Sequence, residues 1–260
     1  MKTILDTIIE HKRKEVAEQK SLHPVKLLEK SIYFHSPVVS LVKYLKNPKK
    51  TGIIAEFKRK SPSKGDINPN AEVARVTIGY MMAGASALSV LTDNHFFGGS
   101  NADLTIARDH NFCPVLRKEF IVDEYQVLEA RAIGADAILL IAAVLTKDEV
   151  KNLAALAKSL GLEVLMEIHN TEELEKITPG LDVIGINNRN LKDFSVSIDH
   201  SLDLFEKIPS EFLRISESGI THPEKIQQLR AHGFDGFLIG EAFMRHARPE
   251  HAFAEFVKKL

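Results

Sequence analysis

From Thr51 onward, short runs rich in Ile, Val and Leu alternate with longer stretches in which apolar residues recur every three to four positions. Eight runs read as strands: Ile53–Lys58, Ala87–Leu91, Pro114–Lys118, Ala137–Ala142, Glu163–Glu167, Val183–Asn187, Leu213–Glu217 and Phe237–Gly240. Helical segments such as Ala71–Met82, Asp123–Ile133, Lys147–Leu160 and Pro223–His232 separate them. Gly84-Ala85, Gly134-Ala135, Gly161 and Gly233 each close a helical pattern just ahead of a strand, where a residue tolerant of positive φ ends a helix at little cost. This βα repeat, with eight parallel strands in just over 200 residues, predicts an α/β protein of the (β/α)8 TIM-barrel class. An open doubly wound sheet would carry a glycine-rich fingerprint after its first strand, and Ile53–Lys58 is followed instead by RKSPSKG.

Ahead of the repeat, Thr3 to about Lys20 places Ile4, Leu5, Ile8, Ile9 and Val16 at helical spacing, with Thr3 or Asp6 available to cap. From Ser21 to Lys50, short apolar clusters are broken by Pro24, Pro37 and Pro48. Residues 1–50 therefore read as an amino-terminal helical extension laid over a larger body, and residues 1–260 as a single barrel domain.

The total charge of −1 hides an asymmetry: residues 1–50 hold 11 basic and 5 acidic side chains, the remainder 23 and 30. No Lys/Arg block interleaves with aromatics, so nucleic acid is excluded as a partner; a solvated helix face or steering of a small anion accounts for the basic front. The lone Cys113 allows neither an internal disulfide nor a dithiol redox site, which points to a reducing cytoplasm. The longest apolar run, Ala137 to Leu145, is far short of the roughly 20 residues that span a bilayer. MKTILDTIIEHKRKE lacks the apolar centre and cleavage site of a signal peptide, so no membrane association is expected.

In a (β/α)8 barrel the reactive groups stand at the carboxyl ends of the strands. There the sequence has Glu56-Phe57-Lys58, Lys118, Glu167, Asn187-Asn188-Arg189 and Glu217-Ser218-Gly219. Alternation puts Glu56 and Lys58 on one face. A single charged strand end is usually a solvated rim group. Lys58, Lys118 and Glu167 come from separate strands yet face one mouth, which makes them candidate catalysts. Burial lowers a lysine's pKa and nearby carboxylates raise it, so the sequence leaves both directions open. Ser218-Gly219-Ile220 and Gly240-Glu241-Ala242 let backbone N–H groups approach an anion, with a short helix beginning near Glu241, and together suggest a phosphate site. Phe96-Phe97-Gly98-Gly99 suits either a stack on an aromatic ring or a loop anchored in the core. The 11 histidines lack metal-ligand spacing, and His169, two residues after Glu167, is the one near the mouth, so no metal is expected. Ser61 and Ser63 have no evident His-Asp partner, which argues against a serine nucleophile.

EFKRKSPSKG (Glu56–Gly65), LTDNHFFGGS (Leu91–Ser100), LRKEF (Leu116–Phe120), MEIH (Met166–His169), INNRNL (Ile186–Leu191) and SESGI (Ser216–Ile220), in that order, resemble the indole-3-glycerol phosphate synthase family over essentially the whole chain. The resemblance implies ring closure of 1-(2-carboxyphenylamino)-1-deoxyribulose 5-phosphate to indole-3-glycerol phosphate, with loss of carbon dioxide and water and no cofactor or metal. It implies Lys118 as general acid, Lys58 as the contact to the substrate carboxylate with a part in dehydration, and Glu167 as the group for later proton transfers. Glu56 and Asn187 position and hydrogen-bond around it. Ser61, Phe97, Arg189 and Glu217 match substrate-binding positions, and Ser218, Gly219, Gly240 and Glu241 match phosphate-binding turns. The basic extension is expected to cover the barrel top, and the chain to work as a monomer on a small phosphorylated substrate. Glu119 stands where the family usually has Asp, Lys60 where a small residue is common, and Ala242 where many members carry a hydroxyl, which leaves the phosphate to backbone N–H groups. Another phosphate-binding barrel, such as phosphoribosylanthranilate isomerase or a lysine Schiff-base aldolase, and a noncatalytic ligand-binding barrel are the alternatives.

Overall fold

The computed structural model describes residues 3–190 and 195–260. Leu191, which ends the fifth of the six motifs, lies outside them. The strands are β1 (Ile53–Phe57), β2 (Ala87–Leu91), β3 (Val115–Lys118), β4 (Ala137–Ile141), β5 (Glu163–Ile168), β6 (Val183–Asn187), β7 (Leu213–Glu217) and β8 (Gly236–Ile239). They are parallel and close into a barrel, β1 pairing with β8 on one side and β2 on the other. Their ends fall within a residue or so of the predicted ones, and Lys58 and Gly240 lie just past the ladder. The strands are buried on both faces, which is why they read as continuous apolar runs.

Three helices precede the barrel, α1 (Ile4–Leu22), α2 (Val25–Leu28) and α3 (Leu41–Leu45). The connecting helices are α4 (Val73–Met82), α5 (Asn101–His110), α6 (Glu124–Ala132), α7 (Lys147–Ser159), α8 (Asp199–Phe205), α9 (Pro223–His232), α10 (Glu241–Met244) and α11 (Pro249–Val257). A 3₁₀ turn, Glu172–Lys176, follows β5. The loop after β1 forms a two-stranded ribbon of Lys60–Ser61 with Gly65–Asp66, too short to leave a periodic signal.

A device repeats at the amino-terminal end of the barrel. Ahead of β2, β4, β6 and β8 stands a glycine of positive φ, Gly84, Gly134, Gly180 or Gly233, and two residues later Ser86, Asp136, Asp182 or Asp235. Each of these four side chains accepts a backbone N–H at or beside the start of the preceding odd strand, from Gly52, Val115, Val164 and Arg214, at 2.8–2.9 Å. Gly84, Gly134 and Gly233 turn the chain out of a helix and Gly180 turns it within the loop ahead of β6, and the acceptor satisfies a strand-end donor that the ladder leaves open.

The extension does not lie wholly over the top, as the sequence led us to expect. Ile4, Leu5 and Ile8 of α1 border the cavity at the carboxyl ends of the strands. Leu41 and Leu45 of α3 instead join the cluster inside the barrel, with Ile54, Leu116, Leu165 and Ile215. The backbone N–H of Val39 donates to Asp136 at 2.8 Å, and Ser40 Oγ and Val42 N–H donate to the Glu163 carboxylate at 2.5 and 2.9 Å. Asp136 and Glu163 sit where β4 and β5 begin, so α3 plugs the amino-terminal end. The reason is volume: the inner cluster needs apolar side chains to seal the end that holds no site.

Nor is the basic front wholly a solvated face. Lys12 is 1% exposed, its Nζ 2.9 Å from Asp93, 3.1 Å from Glu119 and 3.0 Å from Glu15. Burial disfavours the ammonium, but the three carboxylates outweigh that and hold its pKa above the usual lysine range. Asp93 in turn accepts the N–H groups of Phe96 and Phe97, and Glu119 that of Phe120, so one cation ties α1 to the two loops that carry these rings. Lys12→Met leaves two buried carboxylates without their cation and is expected to cost about 3–5 kcal/mol in urea unfolding. Lys14→Met, at an exposed site, is expected to change stability by less than about 0.5 kcal/mol.

Candidate active site

A cavity of about 520 Å³ opens at the carboxyl ends of the strands. The structure brings every sequence-predicted site residue to its lining: Glu56, Lys58, Ser61, Phe97, Lys118, Glu167, Asn187, Arg189, Glu217, Ser218, Gly219, Gly240 and Glu241. Glu56, Lys58, Lys118, Glu167 and Glu217 are carried by strand ends or the residue just past them, so a rigid ladder sets their spacing, while Arg189 and Glu241 stand two residues beyond β6 and β8.

Lys118, the last residue of β3, reaches across the mouth. Its Nζ donates to Glu167 Oε2 at 2.9 Å and to Glu217 Oε2 at 3.2 Å. On the other side, Lys58 Nζ lies 2.7 Å from Glu56 Oε1. Glu56, Glu167 and Glu217 are all buried, so two ammonium groups offset three carboxylates in a place where water screens them little. Burial would lower the pKa of Lys118; Glu167, Glu217 and Glu56 outweigh it and hold the ammonium above the usual lysine range. This decides the direction the sequence left open.

The two carboxylates beside Lys118 diverge. Burial raises both, but at Glu167 the Lys118 ammonium and the His169 imidazole prevail and hold the group well below the usual carboxylate range. At Glu217 burial, joined by the like charge of Glu167, prevails over Lys118 and pushes the pKa up to about 7. Two acids with such opposite settings, sharing one lysine, can hold a proton and accept one at the same time.

Two glycines make room for these acids. A Cβ on Gly240 would sit 2.6 Å from Glu56 Oε1, and one on Gly185 would sit 2.1 Å from Glu217 Oε1. Gly240 is thus required by a carboxylate as well as suited to an anion. Gly185, inside β6, gives a sequence signal only as a lone glycine in an apolar strand.

At the other end of the cavity, Ser218 takes a left-handed φ of 66°, and Gly219 follows at 74°. Asn188 holds this turn: its Nδ2 donates to Ser216 Oγ at 2.9 Å and to the Ser218 carbonyl at 3.0 Å, while its Oδ1 accepts from Ser201. Strand-end position alone does not separate Asn188 from Asn187; the family resemblance named Asn187, and the opposite facing of neighbours makes Asn188 the buried brace and Asn187 the cavity-lining residue. Lys64, Lys225 and Arg245 also line this end. Lys225 Nζ donates to the Gly219 carbonyl at 2.9 Å, and Arg189 and Lys64 lie 3.6 and 3.8 Å from the Glu241 carboxylate. Lys64, Lys225 and Arg245 were missed because they stand on loops and a first helical turn, away from the strand ends. Ser61 Oγ is buried without a hydrogen-bond partner among the described residues. Apolar walls come from Leu5, Ile8, Leu139, Ile141 and the rings of Phe97 and Phe120, whose centroids are 5.8 Å apart. The described residues contain no group of three or more His, Cys, Asp or Glu able to hold a metal ion.

The site is therefore cationic and donor-rich at one end, apolar and aromatic at the other, with an acid–base cluster between. Solved structures match the fold. Tryptophan synthase subunit alpha from Legionella pneumophila superposes with a TM-score of 0.62 at 17% identity, over 84% of this chain and 94% of that one. A chain of the tryptophan synthase complex from Pyrococcus furiosus gives 0.59 at 18%, over 81% and 98%. Sequence relatives reach further. Indole-3-glycerol phosphate synthase from Bacteroides thetaiotaomicron is 46% identical over 260 residues, all of both chains. Those from Acinetobacter baylyi and Dechloromonas aromatica are 40% and 43% identical, over 97% and 96% of this chain and 95% and 97% of theirs. With the family profile matching residues 5–256 as well, the chain belongs to the indole-3-glycerol phosphate synthase family.

Proposed function

We propose that this chain converts 1-(2-carboxyphenylamino)-1-deoxyribulose 5-phosphate to indole-3-glycerol phosphate, and that it does so as a monomer in the cytoplasm with no cofactor. The observation that carries the mechanism is Lys118 Nζ, within 3.2 Å of two carboxylates of opposite pKa setting in the cavity that Lys58 also lines. The ring carbon that bears the carboxylate attacks the ketone carbon, and the carbonyl oxygen takes the Lys118 proton. An ammonium held above its usual range keeps that proton until a developing alkoxide, a far stronger base than the ketone, appears. The bond to the carboxylate then breaks, carbon dioxide leaves, and the electron pair restores the aromatic ring. Lys58 holds the carboxylate beforehand. In the last step the hydroxyl departs as water with a proton from an ammonium acid, Lys58 in this reading, and Glu167 removes the proton whose loss forms the new double bond.

Binding follows the polarity of the cavity. Phe97 and the apolar wall take the aromatic ring, Arg189, Glu217 and Ser61 take the polar middle, and the turns at Ser218-Gly219 and Gly240-Glu241 present N–H groups to the phosphate. Glu56 and Asn187 orient the reacting groups. Strand ends and loops from β1 to β8 contribute these side chains to one cavity, which supports one functional domain. Among the described residues no helix is long and apolar enough to cross a membrane, and Cys113 is a buried free thiol.

Fluorescence of the indole product on addition of the anilino-deoxyribulose phosphate tests the reaction directly. Lys118→Ala is expected to lower kcat by about a hundredfold or more while changing product affinity less than about threefold. An unchanged rate removes Lys118 from the chemistry. Borohydride with substrate is expected to trap no adduct, whereas a Schiff-base aldolase would be labelled on lysine. The acid pair also makes a stability prediction. Glu217 has a folded pKa of about 7, above its unfolded value, so the native state holds the extra proton between them and stability falls as pH rises through that window. Glu167, depressed in the fold, contributes stability that is lost only as pH falls below the ordinary carboxylate range. Glu217→Gln is therefore expected to flatten the decline of Tm from about pH 5 to 7, each kcal/mol appearing as about 2–4 °C, with the acid side unchanged.

A further inference from the structure

Glu167 meets two cations, and the second has no part in the mechanism above. His169 stands one residue past β5 and two beyond Glu167, so alternation turns its ring to the same side. The side chain is 8% exposed. Its Nε2 lies 3.2 Å from Glu167 Oε1, and its Nδ1 lies 3.5 Å from Glu173 Oε2. Glu173 is itself held in place: its carboxylate accepts the His169 backbone N–H at 2.7 Å and the Asn170 side-chain amide at 3.1 Å. The His169 carbonyl contacts His200 Nε2 at 2.7 Å, which ties the same backbone to α8. Neither contact has hydrogen-bond alignment, but a ring with a carboxylate at ion-pair distance from each nitrogen suits the charged imidazolium, the form in which both nitrogens carry a proton. Burial opposes the charge, and the two carboxylates outweigh it, so the pKa is pushed up to about 10.

We propose that His169 is a positioning residue for the proton transfer that follows ring closure: its imidazolium, paired with Glu173, stands at ion-pair distance from one oxygen of Glu167 while the other accepts from Lys118, and keeps the carboxylate ionised after Lys118 gives up its proton. The proposal rests on the reaction assigned above. The charged groups around Glu167 are Lys118 from β3, Glu217 from β7 and His169, with Glu56 from β1 facing Lys118 from the far side and Glu173 behind the ring. While Lys118 is protonated, two cations oppose the neighbouring Glu217. Once it is neutral, His169 alone does so. Without the imidazolium Glu167 takes up a proton early, and the later step loses its base.

Rates from pH 5 to 10 on the full chain, with H169Q and E173Q beside it, test this together with urea unfolding and product affinity. H169Q is expected to lower kcat near neutrality by about tenfold or more and to move the acid limb of kcat up by about one pH unit or more, with product affinity within about threefold. A purely structural role would lower activity without moving that limb. E173Q keeps the imidazole and removes one of its counter-charges, so its acid limb is expected to stay and its basic limb to move down toward neutrality. A folded H169Q with an unmoved acid limb overturns the proposal. If H169Q does not fold, E173Q decides it, and an unmoved basic limb overturns it. Absence of indole product from the unmodified chain would reject the reaction itself, and this role with it.

Discussion

The structure turns on an ammonium group placed among carboxylates where water is scarce. Taking Lys118 out of solvent is unfavourable unless anions replace its hydration, and Glu167, Glu217 and Glu56 do so. The same anions repel one another and need Lys118 and Lys58. Neither set is stable alone at this depth, so the cluster behaves as a unit. A single change of charge redistributes protons across all of it. Gly185 and Gly240 belong to the same constraint, because they give Glu217 and Glu56 the space to stand close to the lysines.

Such a cluster needs strands that cannot shift, and the closed ladder provides that. Every lateral neighbour of a strand is another strand, so a change in register at one place would have to propagate around the barrel. The repeated Gly-x-Asp or Gly-x-Ser device pins the odd strands from below, and the Lys12 contacts pin α1 and the aromatic loops from above. Chemistry at one rim is separated from stability at the other, as in barrels generally.

Much of this was legible in the sequence. Continuous apolar runs at regular spacing indicated parallel strands, and strand ends indicated where charge would gather, so Lys58, Lys118 and Glu167 could be named from the rule that mouth-facing groups sit there. What stayed hidden depends on three-dimensional neighbours. Lys12 looks like any lysine on an amphipathic helix, since its three carboxylate partners come from α1 itself and two distant loops. The place of α3 was missed because two leucines in a short proline-flanked segment carry no mark of which end of a barrel they fill. The direction of the Lys118 pKa needed distances, for burial and carboxylates pull it oppositely. Asn188 and Gly185 carried too little local pattern to stand apart from neighbours of the same kind.

The seating of α3 bears on how the chain acquires its shape. Val39, Ser40 and Val42 bond to residues 97, 123 and 121 positions further on. Contacts of such long range must wait for the intervening chain, and a polypeptide made from its amino terminus offers them late. A segment made well before its partners thus docks only after them, and until β4 and β5 exist its leucines have no interior to enter.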